Sequence, residues 1–121
     1  TQEWLVEKTE KWCQDRAIYL AIMDSINIIE GNKGLYDGIS VSGIDDNAAM
    51  SMLLNAPVIL VIDTEGITRG IAPLLQGYIN FEKKCNIKGV ILNKVKTERH
   101  ENKLINAVKE YTNLEILGSS L

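Results

Sequence analysis

The chain has 121 residues, of which 45% are hydrophobic and 24% charged, and its formal net charge is −3. This size suits a single domain with one core, and the composition is ordinary for a soluble globular protein. No apolar run is long enough for a membrane span, no basic stripe with aromatic residues favours nucleic-acid binding, and no secretory signal pattern is present. We therefore expect a cytoplasmic protein that binds neither membranes nor nucleic acids.

Cysteine and histidine are scarce, which limits metal and redox chemistry. Cys13 and Cys85 form no CxxC motif, so two reduced, buried thiols are expected, and neither has the sequence context of a catalytic nucleophile. His100 is the one histidine of the sequence. A metal site built from several histidines of this chain is therefore excluded.

Helices and strands are predicted to alternate in the first half of the chain. Apolar residues at helical spacing predict a helix over residues 2–20, and an isoleucine-rich run predicts a buried strand at residues 26–29. A second helix should begin at candidate N-caps in residues 45–47 and end at Leu54, before Pro57. The β-branched run at residues 58–62 is typical of a strand buried on both faces.

The same alternation continues in the second half. A helix is predicted over residues 68–84, and its regular part should begin near Ala72, because Pro73 is tolerated only in a first turn. A strand at residues 87–92 and a helix at residues 98–112 follow, and residues 114–118 form a short last strand. The apolar face of the helix over residues 68–84 would hold Ile71, Leu74, Leu75, Tyr78 and Phe81.

The order of elements predicts an α/β fold, a parallel sheet with crossover helices on both faces. Glu30, Asp63 and Asn93 stand where three successive strands are predicted to end. Because ligands gather at the carboxyl ends of parallel strands, these polar residues suggest a nucleotide site at one edge of the sheet.

Glycines follow the first of these residues closely. Gly31, Gly34 and Gly38 permit positive φ angles and let a ligand approach backbone N–H groups. Glu30 and Asp37 could then face one ligand from two sides, one carboxylate binding a hard cation such as Mg²⁺ and the other orienting a second reactant. The spacing alone leaves open that Glu30 caps the next element and that Asp37-Gly38 is simply a turn.

Two short motifs resemble those of GTPases. Residues 63–66 have the DxxG pattern, and residues 93–96 begin like the guanine-reading NKxD motif. Lys96 stands where that motif needs an acid, and a lysine can only donate hydrogen bonds. The phosphate-binding pattern GxxxxGK[ST] is also missing, since Gly38 and Gly43 have the spacing but no lysine follows. The sequence therefore disfavours a GTPase.

Residues 30–38 read EGNKGLYDG, which resembles the EGxxGLxDG signature of the cobyrinic acid a,c-diamide synthases. These are ATP-dependent glutamine amidotransferases of corrinoid biosynthesis. Residues 56–63, 68–78, 89–93 and 99–101 also follow that family's order and spacing, and together these segments are far more specific than any one of them. Asn32 and Lys33 depart from the commoner Val-Met or Val-Arg of the family, which leaves Lys33 as an extra phosphate contact or an exposed loop lysine.

The resemblance implies a reaction and a role for each matched residue. In the intact family, ATP phosphorylates a peripheral carboxylate of the corrinoid (cobyrinate), and glutamine-derived ammonia displaces the phosphate. By position, Glu30 would bind Mg²⁺, Asp37 with Tyr36 would handle the substrate carboxylate or its acyl phosphate, and Asn93 would lie near adenine. Further candidate nucleotide contacts are Lys33, Gly31 and Gly34.

Three more residues fit the family pattern without a defined role. Arg69 and Arg99 could hold a carboxylate or phosphate bidentately, although a solvated charge at a helix start explains Arg69 equally well. His100 is expected to be an N-terminal helix residue rather than an acid or base.

The resemblance also implies that the chain is partial. The family carries a P-loop strand ahead of the first helix and a glutaminase-like domain beyond residue 121. Residues 1–121 would then be a single partial P-loop NTPase-like (dethiobiotin synthetase-like) domain, the C-terminal portion of the ATP-binding synthetase domain, inactive alone. Two alternatives stay open: a non-catalytic nucleotide-site or assembly subunit that docks on a separate P-loop partner, and a dethiobiotin synthetase-like carboxylate-activating enzyme. The sequence does not decide whether the protein forms a homodimer or which tetrapyrrole is the substrate.

Overall fold

The computed structural model of the chain describes residues 28–121. The helix predicted over residues 2–20 and the first half of the strand predicted at residues 26–29 lie outside the described residues. Residues 28–30 form no strand, and the Ile29 side chain is 60% exposed, so the prediction of a buried strand is wrong for this part. A strand requires hydrogen-bond partners from a neighbouring strand, and a short apolar run does not specify them.

The described elements alternate between helices and strands, and three strands pair in parallel in the order β1-β2-β3. This confirms the α/β class predicted from the sequence. The chain divides into two compact units, residues 1–47 and residues 48–121, and the sheet belongs to the second. The elements are α1 (Asn47–Leu53), β1 (Val58–Asp63), α2 (Ile71–Phe81), β2 (Ile87–Asn93), α3 (Glu98–Tyr111) and β3 (Glu115–Ser119).

The core of the second unit lies between the sheet and the two longer helices. α2 and α3 contact each other, as expected for successive crossovers between neighbouring parallel strands. Burying these apolar side chains supplies the main driving force for folding. The apolar side chains that are 0% exposed are Ile71 and Leu75 of α2, Val90 and Leu92 of β2, and Leu104 and Val108 of α3.

Strand β1 is buried on one face, so the prediction of burial on both faces is wrong. Leu60 and Ile62 are each 7% exposed, whereas Ile59 and Val61 are each 41% exposed. Leu117 of β3 is 53% exposed, and its side chain and that of Ile59 approach the same position above Gly89. A run of β-branched residues indicates strand structure but does not specify whether both faces are covered.

Helix α2 begins at Ile71, so Pro73 falls in its first turn, which confirms the start predicted from that proline. The helix ends at Phe81, earlier than the predicted Lys84. The predicted apolar face is partly wrong, because Leu74 is 38% exposed and Phe81 is 77% exposed. Ala72 is buried instead. The buried stripe is therefore narrower than the apolar pattern of the sequence.

Local signals set two of the helix boundaries. Asn55 has a left-handed φ of 51°, and its N–H donates to Met52 O at 3.1 Å, while Ala56 N–H donates to Ser51 O at 2.9 Å. These two bonds form a Schellman motif, which ends α1 just before Pro57. At the start of α3, Thr97 Oγ1 accepts from His100 N–H at 3.1 Å as the N-cap.

Two further expectations concern the cysteines and membrane-spanning helices. Cys85 is a buried free thiol, as expected, whereas Cys13 lies outside the described residues. Every helix between residues 28 and 121 is too short or too polar to cross a bilayer.

The one-sided burial of β1 predicts unequal effects of the same substitution on its two faces. Ile62→Ala should lower the free energy of unfolding by about 2–5 kcal/mol, because it leaves a cavity in the core. Ile59→Ala, the matched control on the other face, should have a clearly smaller effect. Urea denaturation followed by circular dichroism measures both. Equal losses for the two variants would show that both faces of β1 are covered.

Candidate functional site

The sequence-predicted site residues divide between the two compact units, and each unit is described by itself. Asn93 and the sheet edge belong to the second unit, together with Asp63. The expectation that Glu30 lies beside Asp63 and Asn93 involves both units and stays a prediction. The candidates of the first unit are Glu30, Gly31, Lys33, Gly34, Tyr36 and Asp37.

The first unit contains a cavity of about 140 Å³ within residues 32–47. Lys33 and Asp37 both line it, so the structure brings these two predicted site residues together. Asp45 and Asp46 also line it, which gives the cavity more negative than positive charge. Such a cavity favours a cation or hydrogen-bond donors over a bare anion. The other lining residues are Asn32, Gly38, Ile39 and Asn47.

Side chains from residues 45–47 hold this loop in shape. Asn47 Nδ2 donates to Lys33 O at 3.0 Å, and the Asp45 carboxylate accepts from Ser40 N–H at 3.1 and 3.2 Å. The sequence suggested these residues as helix caps, yet these two side chains bind other parts of the loop. No local sequence pattern predicts these contacts, because the partners are 5 to 14 residues apart in sequence.

The loop glycines are needed for a different reason from the one predicted. Among the described glycines, positive φ angles occur at Gly43 and Gly66, so Gly31, Gly34 and Gly38 do not have them. A Cβ at Gly34 would collide with the Asp37 carboxylate, and one at Gly38 would lie 3.0 Å from the Asp46 backbone nitrogen. Glycine therefore leaves room for side chains and backbone of the same loop.

Glu30 and Tyr36 are half-buried and do not line this cavity. Within residues 28–121, no group of three or more acidic, histidine or cysteine side chains could hold a metal ion. Mg²⁺ commonly binds through one or two carboxylates, with water and phosphate supplying the other ligands. The carboxylates of residues 28–121 could therefore supply one or two ligands to Mg²⁺, but they could not supply a complete set of protein ligands.

In the second unit, the register of the sheet places Asp63 and Asn93 opposite each other at the carboxyl ends of β1 and β2. Lys94 follows Asn93 with a left-handed φ of 59°, and its Nζ forms an ion pair with Asp63 Oδ2 at 2.9 Å. The hydrogen bond from Lys94 lowers the pKa of the Asp63 carboxyl, and Glu65 N–H contributes in the same direction. Both side chains of the ion pair are 55% exposed, so solvent screens it strongly.

The orientation of the Asn93 amide is fixed by its neighbours. Its Oδ1 accepts from Lys94 N–H at 3.0 Å and from Ser120 Oγ at 2.8 Å. Because a backbone N–H can only donate, the oxygen must face Lys94. The Nδ2 hydrogens of Asn93 are therefore the donors that this amide offers to a further partner.

The basic residues of unassigned role differ in their contacts. His100 Nδ1 accepts from Lys96 N–H at 3.1 Å, and His100 Nε2 lies 2.6 Å from Ile67 O, so the ring connects two loops as a structural residue. Arg69 donates to the Tyr111 hydroxyl at 3.1 and 3.3 Å, and its guanidinium lies 5.4 Å from the centre of that ring. These contacts give Arg69 a structural role between α2 and the end of α3.

The ion pair between Lys94 and Asp63 predicts a measurable change in the pKa of Asp63 when the lysine is replaced. In Lys94→Met, the pKa of Asp63 should rise toward its ordinary value, because the main group that stabilises the carboxylate is lost. Since the pKa is lowered in the folded protein, the pair stabilises the fold above the ordinary aspartate pKa, and this stabilisation disappears as the pH falls through the lowered value. NMR titration of the Asp63 carboxyl measures the shift, with Lys88→Met as the control. An unchanged Asp63 pKa in Lys94→Met would rule out this contact in solution.

A family model described as an AAA domain matches residues 7–119. The cobyrinate a,c-diamide synthase of Methanococcus maripaludis strain C5 is 49% identical over 96 residues, which cover 78% of this chain and 22% of that protein. The protein of the same name from Caldanaerobacter subterraneus subsp. tengcongensis is 41% identical over 93 residues, covering 77% of this chain and 21% of that protein. No solved structure matches the chain.

A third synthase of that name, from Methanobrevibacter smithii, is 41% identical over 108 residues, covering 87% of this chain and 24% of that protein. The chain thus spans less than a quarter of the length of these curated relatives. The resemblance of residues 30–38 and the later segments to cobyrinic acid a,c-diamide synthases is confirmed. With the match over residues 7–119 and its parallel α/β sheet, this chain belongs to the AAA domain family, whose fold is of the P-loop NTPase type.

Proposed function

We propose that this chain is part of the synthetase domain of a cobyrinate a,c-diamide synthase. The intact protein would use ATP, Mg²⁺ and glutamine-derived ammonia to amidate side-chain carboxylates of a corrinoid in the cytoplasm. The observation that carries the proposal is the folded loop of residues 30–47. In this loop Lys33 and Asp37 line one cavity, within the segment that resembles the family signature.

The charges around the cavity support a site for a metal-bound anion. Asp37, Asp45 and Asp46 line it with Lys33, and these carboxylates would repel a bare phosphate or a corrinoid carboxylate. When bound, Mg²⁺ would neutralise charge on the phosphoryl group that is transferred. Glu30 belongs to the same loop but does not line the cavity. It is our proposed protein ligand for that ion, and phosphate and water would complete the coordination.

The chain's own residues would position the reactants. Lys33 would attract a phosphate oxygen through its ammonium group, and the exposed backbone at Gly31 and Gly34 would contribute nucleotide contacts. Asp37 would accept a hydrogen bond from the ammonia that attacks the acyl phosphate, and Tyr36 beside it would support its position. As the attack proceeds, a carboxylate at this point can take the proton that the ammonium nitrogen loses.

Asn93 would contribute to binding of the nucleotide base. Since its Oδ1 is already bonded to Lys94 and Ser120, its N–H group would donate to an acceptor ring nitrogen of adenine. This differs from a bidentate contact, in which the asparagine would also accept from the exocyclic amine.

The assembly alternative rests on one observation, which a longer single polypeptide explains equally well. Ile59, Val61 and Leu117 are 41%, 41% and 53% exposed on one face of the sheet. Further elements of a synthetase domain could cover these side chains, either in the same polypeptide or on a separate P-loop subunit. Co-purification of this chain with a P-loop protein, with ATPase activity gained on mixing, would favour the separate subunit.

The role of Asp37 predicts a large effect on catalysis in a longer protein. In the Methanococcus maripaludis C5 synthase, the matching segment is replaced by that of this chain, and amidation of cobyrinate is measured with ATP, Mg²⁺ and glutamine. Asp37→Asn should lower kcat by about 10²- to 10⁴-fold, because an amide cannot accept the proton, while the KM for glutamine stays the same.

Glu115→Gln is the matched control, since it also removes one exposed carboxylate charge and should leave kcat unchanged. Full activity of the Asp37→Asn chimera would contradict the role of Asp37. An inactive chimera carrying the unchanged segment would contradict the proposed function itself.

The orientation of Asn93 predicts an effect on ATP affinity in the same chimera. Asn93→Asp replaces the N–H donor by an acceptor, so the dissociation constant for ATP should rise about tenfold or more. Isothermal titration calorimetry measures it, and Asn102→Asp on the exposed side of α3 controls for the added charge. Unchanged ATP affinity in Asn93→Asp would show that Asn93 does not contact the adenine base.

A further inference from the structure

Asn47 connects the end of the cavity loop to its beginning. Its Nδ2 donates to Lys33 O at 3.0 Å, and Gly34 O lies 3.5 Å from the same nitrogen. Asn47 also lines the cavity that Lys33 and Asp37 line. The side chain therefore joins two chain segments that are 13 and 14 residues apart in sequence.

The contact reaches Asp37 through the backbone. Asp37 N–H donates to Gly34 O at 3.1 Å, so the carbonyl close to Asn47 also closes the turn that carries Asp37. The same amide group of Asn47 also lies close to Gly31, where an added Cβ would be 2.6 Å from Nδ2. Asn47 thus contacts the loop both before and after Lys33, which limits how far the lysine can move.

The chemistry of the partners requires a donor at this position. Both atoms that face Nδ2 are carbonyl oxygens, which can only accept hydrogen bonds. An aspartate here would have nearly the same shape and would suit a helix start equally well. It would, however, place a charged acceptor against two acceptors.

We infer that Asn47 is a positioning residue that fixes the segment carrying Lys33 and Asp37 against the cavity. It acts through the backbone carbonyls of Lys33 and Gly34 and contacts no reacting atom. The catalytic consequence rests on the proposed function, whereas the restraint on the loop does not. The restraint is therefore tested first, without any ligand.

Limited trypsin digestion of the full chain reports directly on this contact. Trypsin cleaves the Lys33–Gly34 bond, whose carbonyl oxygen is the one that Asn47 holds, and Lys33 is exposed. Asn47→Asp should speed cleavage at Lys33 about five- to tenfold, because a hydrogen bond that limits local opening is lost. Cleavage at Lys83 and Lys84, between α2 and β2, should keep its rate and serves as the internal control.

A matched variant controls for the added negative charge. Asn102→Asp makes the same change at an exposed position of α3 and should leave cleavage at Lys33 unaltered. Equal rates at Lys33 in Asn47→Asp and the unchanged chain would overturn the inference. Acceleration by the same factor at Lys33, Lys83 and Lys84 would also overturn it, since general unfolding would then explain the result.

The activity of the chimeric synthase tests the catalytic consequence separately. Asn47→Asp should lower kcat for amidation of cobyrinate about tenfold or more, while the KM for glutamine stays the same. Because instability would also lower the apparent kcat by reducing the amount of folded enzyme, kcat is expressed per folded chimera, as measured by circular dichroism. Faster cleavage at Lys33 with unchanged kcat would confirm the restraint and overturn its role in positioning. An inactive unchanged chimera would count against the proposed function alone, because the digestion does not depend on it.

Discussion

The parallel register of β2 between its two neighbours is the constraint on which the second unit depends. Pairing β1 with β2 sets Asp63 opposite Asn93, so the two strands end at the same level. The segments after the strands are then tied together, with Thr64 N–H donating to Asn93 O at 2.9 Å and Ser120 N–H donating to Leu92 O at 2.8 Å. A shift of one residue would turn the polar side chains to the other face and separate them.

The loop of the first unit is held by different means. Residues 30–46 contain no helix or strand, and side-chain bonds from Asn47 and Asp45 restrain the backbone. The loop glycines leave space for these side chains and for the Asp37 carboxylate. A structure restrained by a few exposed hydrogen bonds opens locally more easily than a sheet does.

Much of the fold could be predicted from the sequence because its boundaries have local causes. Pro73 fixes the start of α2, Thr97 caps α3, and Asn55 ends α1 just before a proline. The burial of β1 could not be predicted, because it depends on which elements cover each face. The β-branched pattern at residues 58–62 does not contain this information.

The geometry of the candidate site could not be predicted from the sequence, and the roles of its residues stay predictions. The predicted site residues include Asp37, which belongs to the signature at residues 30–38, and Lys33, which departs from the commoner residues of the family there. The structure brings both to one cavity. The contacts of Asn47 with Lys33 and of Ser120 with Asn93 join residues that are distant in sequence, so neither has a local pattern. The same holds for the direction of the Asn93 amide, which follows from the backbone of Lys94 and the side chain of Ser120.

The most direct test of the proposed site is an experimental structure of a full-length synthase that carries this segment. The crystals would contain Mg²⁺, a non-hydrolysable ATP analogue and cobyrinate. Our account predicts that Lys33 Nζ contacts a phosphate oxygen and that the Asp37 carboxylate lies beside the corrinoid carboxyl group that becomes the amide. Ligands bound with both side chains in open solvent, away from phosphate and corrinoid, would contradict it.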